Sequence, residues 1–162
     1  MMSSAPTTDE AFARFSDTLE AAGLRAALAY LLGLTDYRFI AIFRFEDAKA
    51  NAAVFYDRHN PAVLGVDEVP ASATYCCFAR DARGTFTTAD AMLDPRLTGH
   101  AARETVRAYC GVPLMTSEGE ILGTLCHYDL EPRDAGKIDL ALMLQVASAL
   151  VQRDLVPPYP QR

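Results

Sequence analysis

The stretch Tyr109-Cys110-Gly111-Val112-Pro113-Leu114-Met115-Thr116-Ser117-Glu118-Gly119-Glu120-Ile121-Leu122-Gly123-Thr124-Leu125-Cys126-His127 decides how this chain folds. Two strand-like runs, Arg107 to Met115 and Glu120 to Asp129, flank Thr116-Ser117-Glu118-Gly119, whose serine and glycine suit a tight turn, and together they predict a β-hairpin. Gly111 and Gly123 fall inside the strands, where glycine normally weakens packing. Each points to close approach by another backbone, to a bulge, or to room for a ligand. Pro113 cannot donate to a sheet ladder, which places it at an edge or in an irregular part of the strand.

Working outward, Tyr37 to Phe45 also alternates. Phe39, Ala41, Phe43 and Phe45 share one face; Ile40 and Ile42, flanked by Arg38 and Arg44, share the other. Apolar residues on both faces predict a central strand covered on two sides. Ala52 to Tyr56 pairs with it across the polar connection Glu46 to Asn51. Before this pair, Phe12, Phe15, Leu19, Ala22, Ala26 and Ala29 recur at helical steps and predict one helix, with Thr8 or Asp9 capping its start and Gly33 its end. At the other end, Asp134 to Leu155 predicts a closing helix, stopped by Pro157-Pro158. Its apolar residues, from Ile138 through Leu144 to Val151, wrap further than one core-facing stripe needs, and a second copy of the chain is the simplest partner for the surplus.

The middle of the chain has no long periodic pattern. Pro61, Gly65 and Pro70 interrupt it, a helical segment is expected within Ala71 to Ala82, Thr85 to Ala89 reads as a short strand, and a polar, small-residue segment runs from Asp90 to Glu104. Irregular cover of this kind often builds a pocket. The order predicts an α+β domain: an antiparallel β-sheet with N- and C-terminal helices on one face and a pocket-covering helix and loop segment on the other.

Composition limits the function. The chain has 162 residues, 51% of them hydrophobic and 22% charged, which suits one globular domain. Fifteen Lys+Arg against 21 Asp+Glu give a formal charge of −6, no footprint for nucleic acid or an anionic membrane surface. Apolar stretches are broken by Arg25, Asp139 and Gln145, short of the ~18 residues a membrane span requires. The start lacks the basic residue and apolar run of a secretory signal. The four cysteines form no C-x-x-C pair and no disulfide framework, so the expectation is a cytoplasmic protein with free thiols.

Thr74-Tyr75-Cys76, then Thr88-Ala89-Asp90-Ala91 with Asp94-Pro95-Arg96, then Tyr109 to Leu114 and Gly119-x-x-x-Gly123-Thr124-Leu125-Cys126 together resemble the GAF sensory-domain family. The resemblance extends in element order from about residue 9 to residue 155. It implies a single GAF domain over 9–155, with a disordered tail at 1–8 and a Pro-rich tail at 156–162. It further implies a stand-alone sensor that binds a small molecule under the cover and signals through its terminal helices to a partner chain, as a homodimer. Family members bind cyclic nucleotides, tetrapyrroles, haem or small metabolites, so the ligand stays unassigned and no cofactor is named.

Ligand-contact candidates are Tyr75, Cys76, Phe78, Asp90, His100, Tyr109, Gly123 and His127. Tyr75 could stack on or bond to a ring and Cys76 could touch it. Against this, the Tyr75 to Phe78 cluster could simply fasten a short helix to the sheet. Asp90 and Asp94 are good cap and turn formers, His100 reads as a surface residue, and His127, on the strand face of Ile121, Gly123 and Leu125, could be a hydrogen-bonded core histidine. No histidine spacing marks a metal site. An enzymatic alternative is the GAF branch that reduces free methionine sulfoxide through cysteines. That chemistry needs a thiolate nucleophile, and this chain has no cysteine between Cys77 and Cys110 in the cover, which argues for a non-enzyme. A ligand-free dimerisation module is the other alternative.

Overall fold

The structure, a computed structural model, describes residues 5–161. Helix α1 (Thr8–Ala22) opens with a capping box: the Glu10 N–H donates to Thr7 Oγ1 at 3.1 Å, and the Thr7 N–H donates to Glu10 Oε1 at 3.0 Å. The single helix expected from the periodicity is in fact two. Gly23, at φ 93°, closes α1 in a left-handed conformation, and α2 (Leu24–Gly33) starts beyond it. Strands β1 (Phe39–Glu46) and β2 (Lys49–Asp57) form a tighter hairpin than expected, because Asp47 adopts φ 55°.

Strand β3 (Val69–Pro70) leads to a 3₁₀ turn (Ala71–Ala73) and α3 (Cys76–Ala82), so the expected helical segment is split. Strand β4 (Phe86–Thr88) precedes two 3₁₀ turns, Ala91–Leu93 and Pro95–Leu97, capped by Asp90 and Asp94. The hairpin of β5 (Ala108–Met115) and β6 (Ile121–Asp129) follows. The closing helix α4 (Leu140–Gln152) is shorter than expected at both ends. Asp134 caps a separate 3₁₀ turn (Ala135–Lys137), Asp139 caps α4 through the Leu142 N–H at 3.0 Å, and the chain turns at Asp154 (φ 55°) before the prolines.

The strands form a six-stranded antiparallel sheet in the order β3-β2-β1-β6-β5-β4, with β1 central as expected. Short β4 reaches only Gly111 along β5, so Pro113 lies past its end, on unpaired edge. Ile40 and Ile42 of β1, with Cys110, Val112, Leu114 and Leu125, face α1, α2 and α4. Phe39, Ala41, Phe43, Tyr109 and Cys126 face α3 and the cover. The helices from both ends therefore share one face, as predicted. Packing against β5 and α1 takes up most of the apolar surplus of α4, leaving Leu144 as its one exposed large hydrophobic residue among those described.

Of the expected N-terminal tail, residues 1–4 lie outside the described residues, while Thr7 and Thr8 belong to the start of α1. The Pro-rich end is docked: Arg44 Nη1 donates to the Pro157 carbonyl at 2.6 Å, and the Tyr159 hydroxyl donates to the Glu68 carboxylate. No helix among the described residues is long and apolar enough to cross a membrane.

Candidate functional site

A cavity of about 260 Å³ lies between the sheet and its cover. Its floor is aromatic. Phe43 of β1, Tyr109 of β5 and Tyr128 of β6 point to this side because each stands at an alternate position from a residue packed on the helices. Tyr75 and Cys76 at the start of α3 form one wall, Ala102 and Val106 another, and Val66, Asp67 and Val69 the mouth.

Tyr109 organises the floor. Its hydroxyl donates to Cys76 Sγ at 3.3 Å, and its ring meets Tyr75 edge-on at 5.8 Å and 86°. Gly111, two residues along the same face, makes this pose possible, since a Cβ there would run into the Tyr109 ring. The Tyr75 hydroxyl donates to the Val106 carbonyl at 2.8 Å and ties α3 to the end of the cover. Burial pushes the Cys76 thiol up, but its polar neighbours Cys126, Thr124 and Tyr109, the last through its hydroxyl bond, outweigh it and hold Cys76 below the ordinary thiol range. Burial raises Tyr109 and Cys126 well above theirs. Cys76 is thus the acidic member of a buried cluster. All four cysteines are free.

Tyr75, Cys76 and Tyr109 are the sequence candidates that meet at the cavity. Phe78 and His100 stand behind them: Phe78 stacks on Phe86 at 4.8 Å, and the His100 ring lies 4.8 Å from Tyr75. His100 is therefore a packed residue rather than a surface one; its Nδ1 accepts from the Ala102 N–H at 3.0 Å. Asp90 lies away from the cavity. Its carboxylate accepts two bonds from Arg107, at 2.8 and 2.9 Å, and caps Met92, and the guanidinium holds it below the usual carboxylate range. Asp94 does the same with Arg96 and falls to about 2.

Gly123 contacts backbone instead of a ligand, because a Cβ there would collide with the Phe43 carbonyl of the neighbouring strand. His127 follows the predicted alternation onto the Leu125 face, but that face carries the helices, so it does not join Tyr75 and Tyr109. The residues that sequence reasoning missed divide in two. Phe43 and Tyr128 were reachable by alternation, Tyr128 being out of phase with His127, whereas Val66, Asp67, Ala102 and Val106 come from aperiodic segments.

Residues 8–153 match the profile described as GAF domain. The chain belongs to the GAF domain family. This GAF domain is 36% identical over 98 residues to a cyclic di-GMP phosphodiesterase of Pseudomonas aeruginosa, a match covering 57% of this chain and 17% of that protein, so it corresponds to a small part of its relative. The GAF domain of a phosphoenolpyruvate-protein phosphotransferase from Acinetobacter superposes with a TM-score of 0.71 at 13% identity, over 93% of each chain. A free methionine-R-sulfoxide reductase from Neisseria meningitidis, solved with its substrate, gives 0.71 at 18% identity, over 94% of this chain and 93% of that one. At such identities the likeness is one of fold.

Proposed function

We propose that this GAF domain is a sensory module that binds a small, planar, largely apolar molecule in the cover-face cavity and acts by binding rather than catalysis. The observation that carries this reading is the aromatic floor of Phe43, Tyr109 and Tyr128 beneath an enclosing segment. Such surfaces hold ring systems by stacking and apolar burial. Sites for drug-sized ligands run to ~300–1,000 Å³, and a cavity of about 260 Å³ favours a compact metabolite over a tetrapyrrole or a dinucleotide. Occupancy would shift the cover between arrangements and, through the shared sheet, the packing of α1 and α4 that a partner chain reads. In this reading the domain works as a homodimer in the cytoplasm, where reducing conditions keep its thiols free.

Thermal-shift screening of metabolites against wild type and Ala102→Trp, which narrows the cavity, tests the binding. A stabilising compound that loses its effect in the variant supports it; identical shifts in both overturn it. Leu144→Glu, followed by mass measurement in solution, tests the dimer, and a monomeric wild type removes it. A second reading, reduction of free methionine sulfoxide, rests on Cys76, whose thiol lines the cavity next to Cys126. Two thiols would reduce the sulfoxide to the thioether, yielding a disulfide and water. Turnover with a thiol reductant that disappears in Cys76→Ser would establish it, and its absence would leave the binding function.

A further inference from the structure

The helix face of the sheet holds a second space, of about 140 Å³, between β6, the end of α2 and the first turns of α1 and α4. Leu31, Leu142 and Met143 supply apolar walls, and the His127 imidazole faces it from the sheet. His127 is 2% exposed, and its Nδ1 is buried with no hydrogen-bond partner among the described residues. Tyr37, its ring 5.9 Å from the imidazole, buries a hydroxyl in the same condition. An unsatisfied buried polar group is destabilising, so this pair is a place where the core is polar without satisfying itself.

The hydroxyl of Thr35 and the carboxylate of Asp139, which also line the space, are already engaged. Thr35 Oγ1 donates to the Leu32 carbonyl and accepts from the Tyr37 N–H, while the Asp139 carboxylate caps α4 and accepts from the Thr8 hydroxyl. Burial, aided by Arg58, pushes the His127 pKa down to about 3, so the imidazole presents a neutral hydrogen-bonding ring.

We propose that this cavity is a second ligand site, one that takes a small uncharged molecule with an apolar body and a hydroxyl, a phenol or comparable alcohol, whose hydroxyl meets His127. The apolar walls match the body. A neutral imidazole offers no charge to attract an anion, and the two charged lining residues, exposed Lys137 and Asp139, are opposite in sign. The walls come from α1, α2 and α4, so occupancy acts on terminal-helix packing directly, without passing through the cover.

The test is an NMR titration of isotope-labelled imidazole nitrogens with phenol, benzyl alcohol and isopropanol. The expected result is a saturable change at His127 that weakens by about tenfold or more in Leu34→Trp, which plugs the cavity from its exposed mouth, with a parallel change at the backbone amides of β6 that weakens as much in His127→Leu. Ala102→Trp, in the cover-face cavity, leaves the change intact. Should His127→Leu fail to fold, Leu34→Trp at the surface still decides. No response at His127 up to the solubility limit, as when water alone fills the space, overturns the proposal. So does an equal response in Leu34→Trp, or loss of the response in Ala102→Trp.

Discussion

The two faces of the sheet share the same strands yet are packed differently. On the helix side, Tyr37, Phe15, Leu28, Leu32, Ile40, Ile42, Leu114, Leu125 and Leu150 are all under 2% exposed; on the cover side only Leu97 is a comparably buried large side chain among the described residues. Regular helices present matching ridges at fixed spacing, and a sheet face can be filled against them to near-crystalline density. The cover consists of 3₁₀ turns, a two-turn helix and loops, which fit over aromatic rings and leave a cavity. The helix face carries most of the stabilising core and keeps only the smaller space beside His127, and the cover face holds the larger cavity.

The most severe way to break this contrast is Phe15→Ala. Removing a fully buried ring from the helix face lowers stability by about 4 kcal/mol in urea denaturation, with ligand affinity per folded molecule unchanged. Gly123→Ala comes next. Its methyl group meets backbone of β1, which cannot swing aside, and a loss of about 2–3 kcal/mol is expected in the same measurement. Tyr75→Phe works on the other face, where it deletes the bond to Val106. It lowers stability by only about 1 kcal/mol but speeds amide exchange in the cover near Val106. A uniform response across both faces would erase the distinction.

The smallest effect belongs to neither face. At one end of the sheet, the Arg38 guanidinium donates to both Asp57 carboxylate oxygens, at 2.9 and 3.0 Å, and holds that carboxyl below its usual pKa. A depressed folded-state value means the stabilisation is full above the unfolded value of about 3.9 and is lost as pH falls through the folded one. Asp57→Asn should therefore lower the denaturation midpoint at neutral pH, and the difference from wild type should close in strong acid.

Strand faces were legible in the sequence because alternation is a local rule: Phe39 to Phe45 and Ile40 to Ile42 occupy the two sides that their phase requires. The same phase put His127 with Leu125. Which side would carry helices depends on distant segments, and for that reason His127 ended in the helix layer. Helix boundaries were less legible. Gly23 sits within a continuous apolar periodicity, and only its positive φ reveals the break; Asp139 took the cap that Asp134 could equally have supplied. Asp90 belongs to a recognisable motif, yet its partner Arg107 lies on another segment, and their ion pair withdraws it from the cavity.

From the hairpin built on Tyr109 to His127, the sequence by itself determined the family, the antiparallel sheet and which residues share each strand face. These follow from periodicity and turn chemistry, which act over a few residues. Tertiary structure alone decided that Tyr75, Cys76 and Tyr109 meet over Phe43 and Tyr128, and that His127, with Tyr37 packed beside it, faces a separate space on the far side. Those meetings depend on how aperiodic segments settle across the sheet, a property of packing in three dimensions that no local pattern encodes.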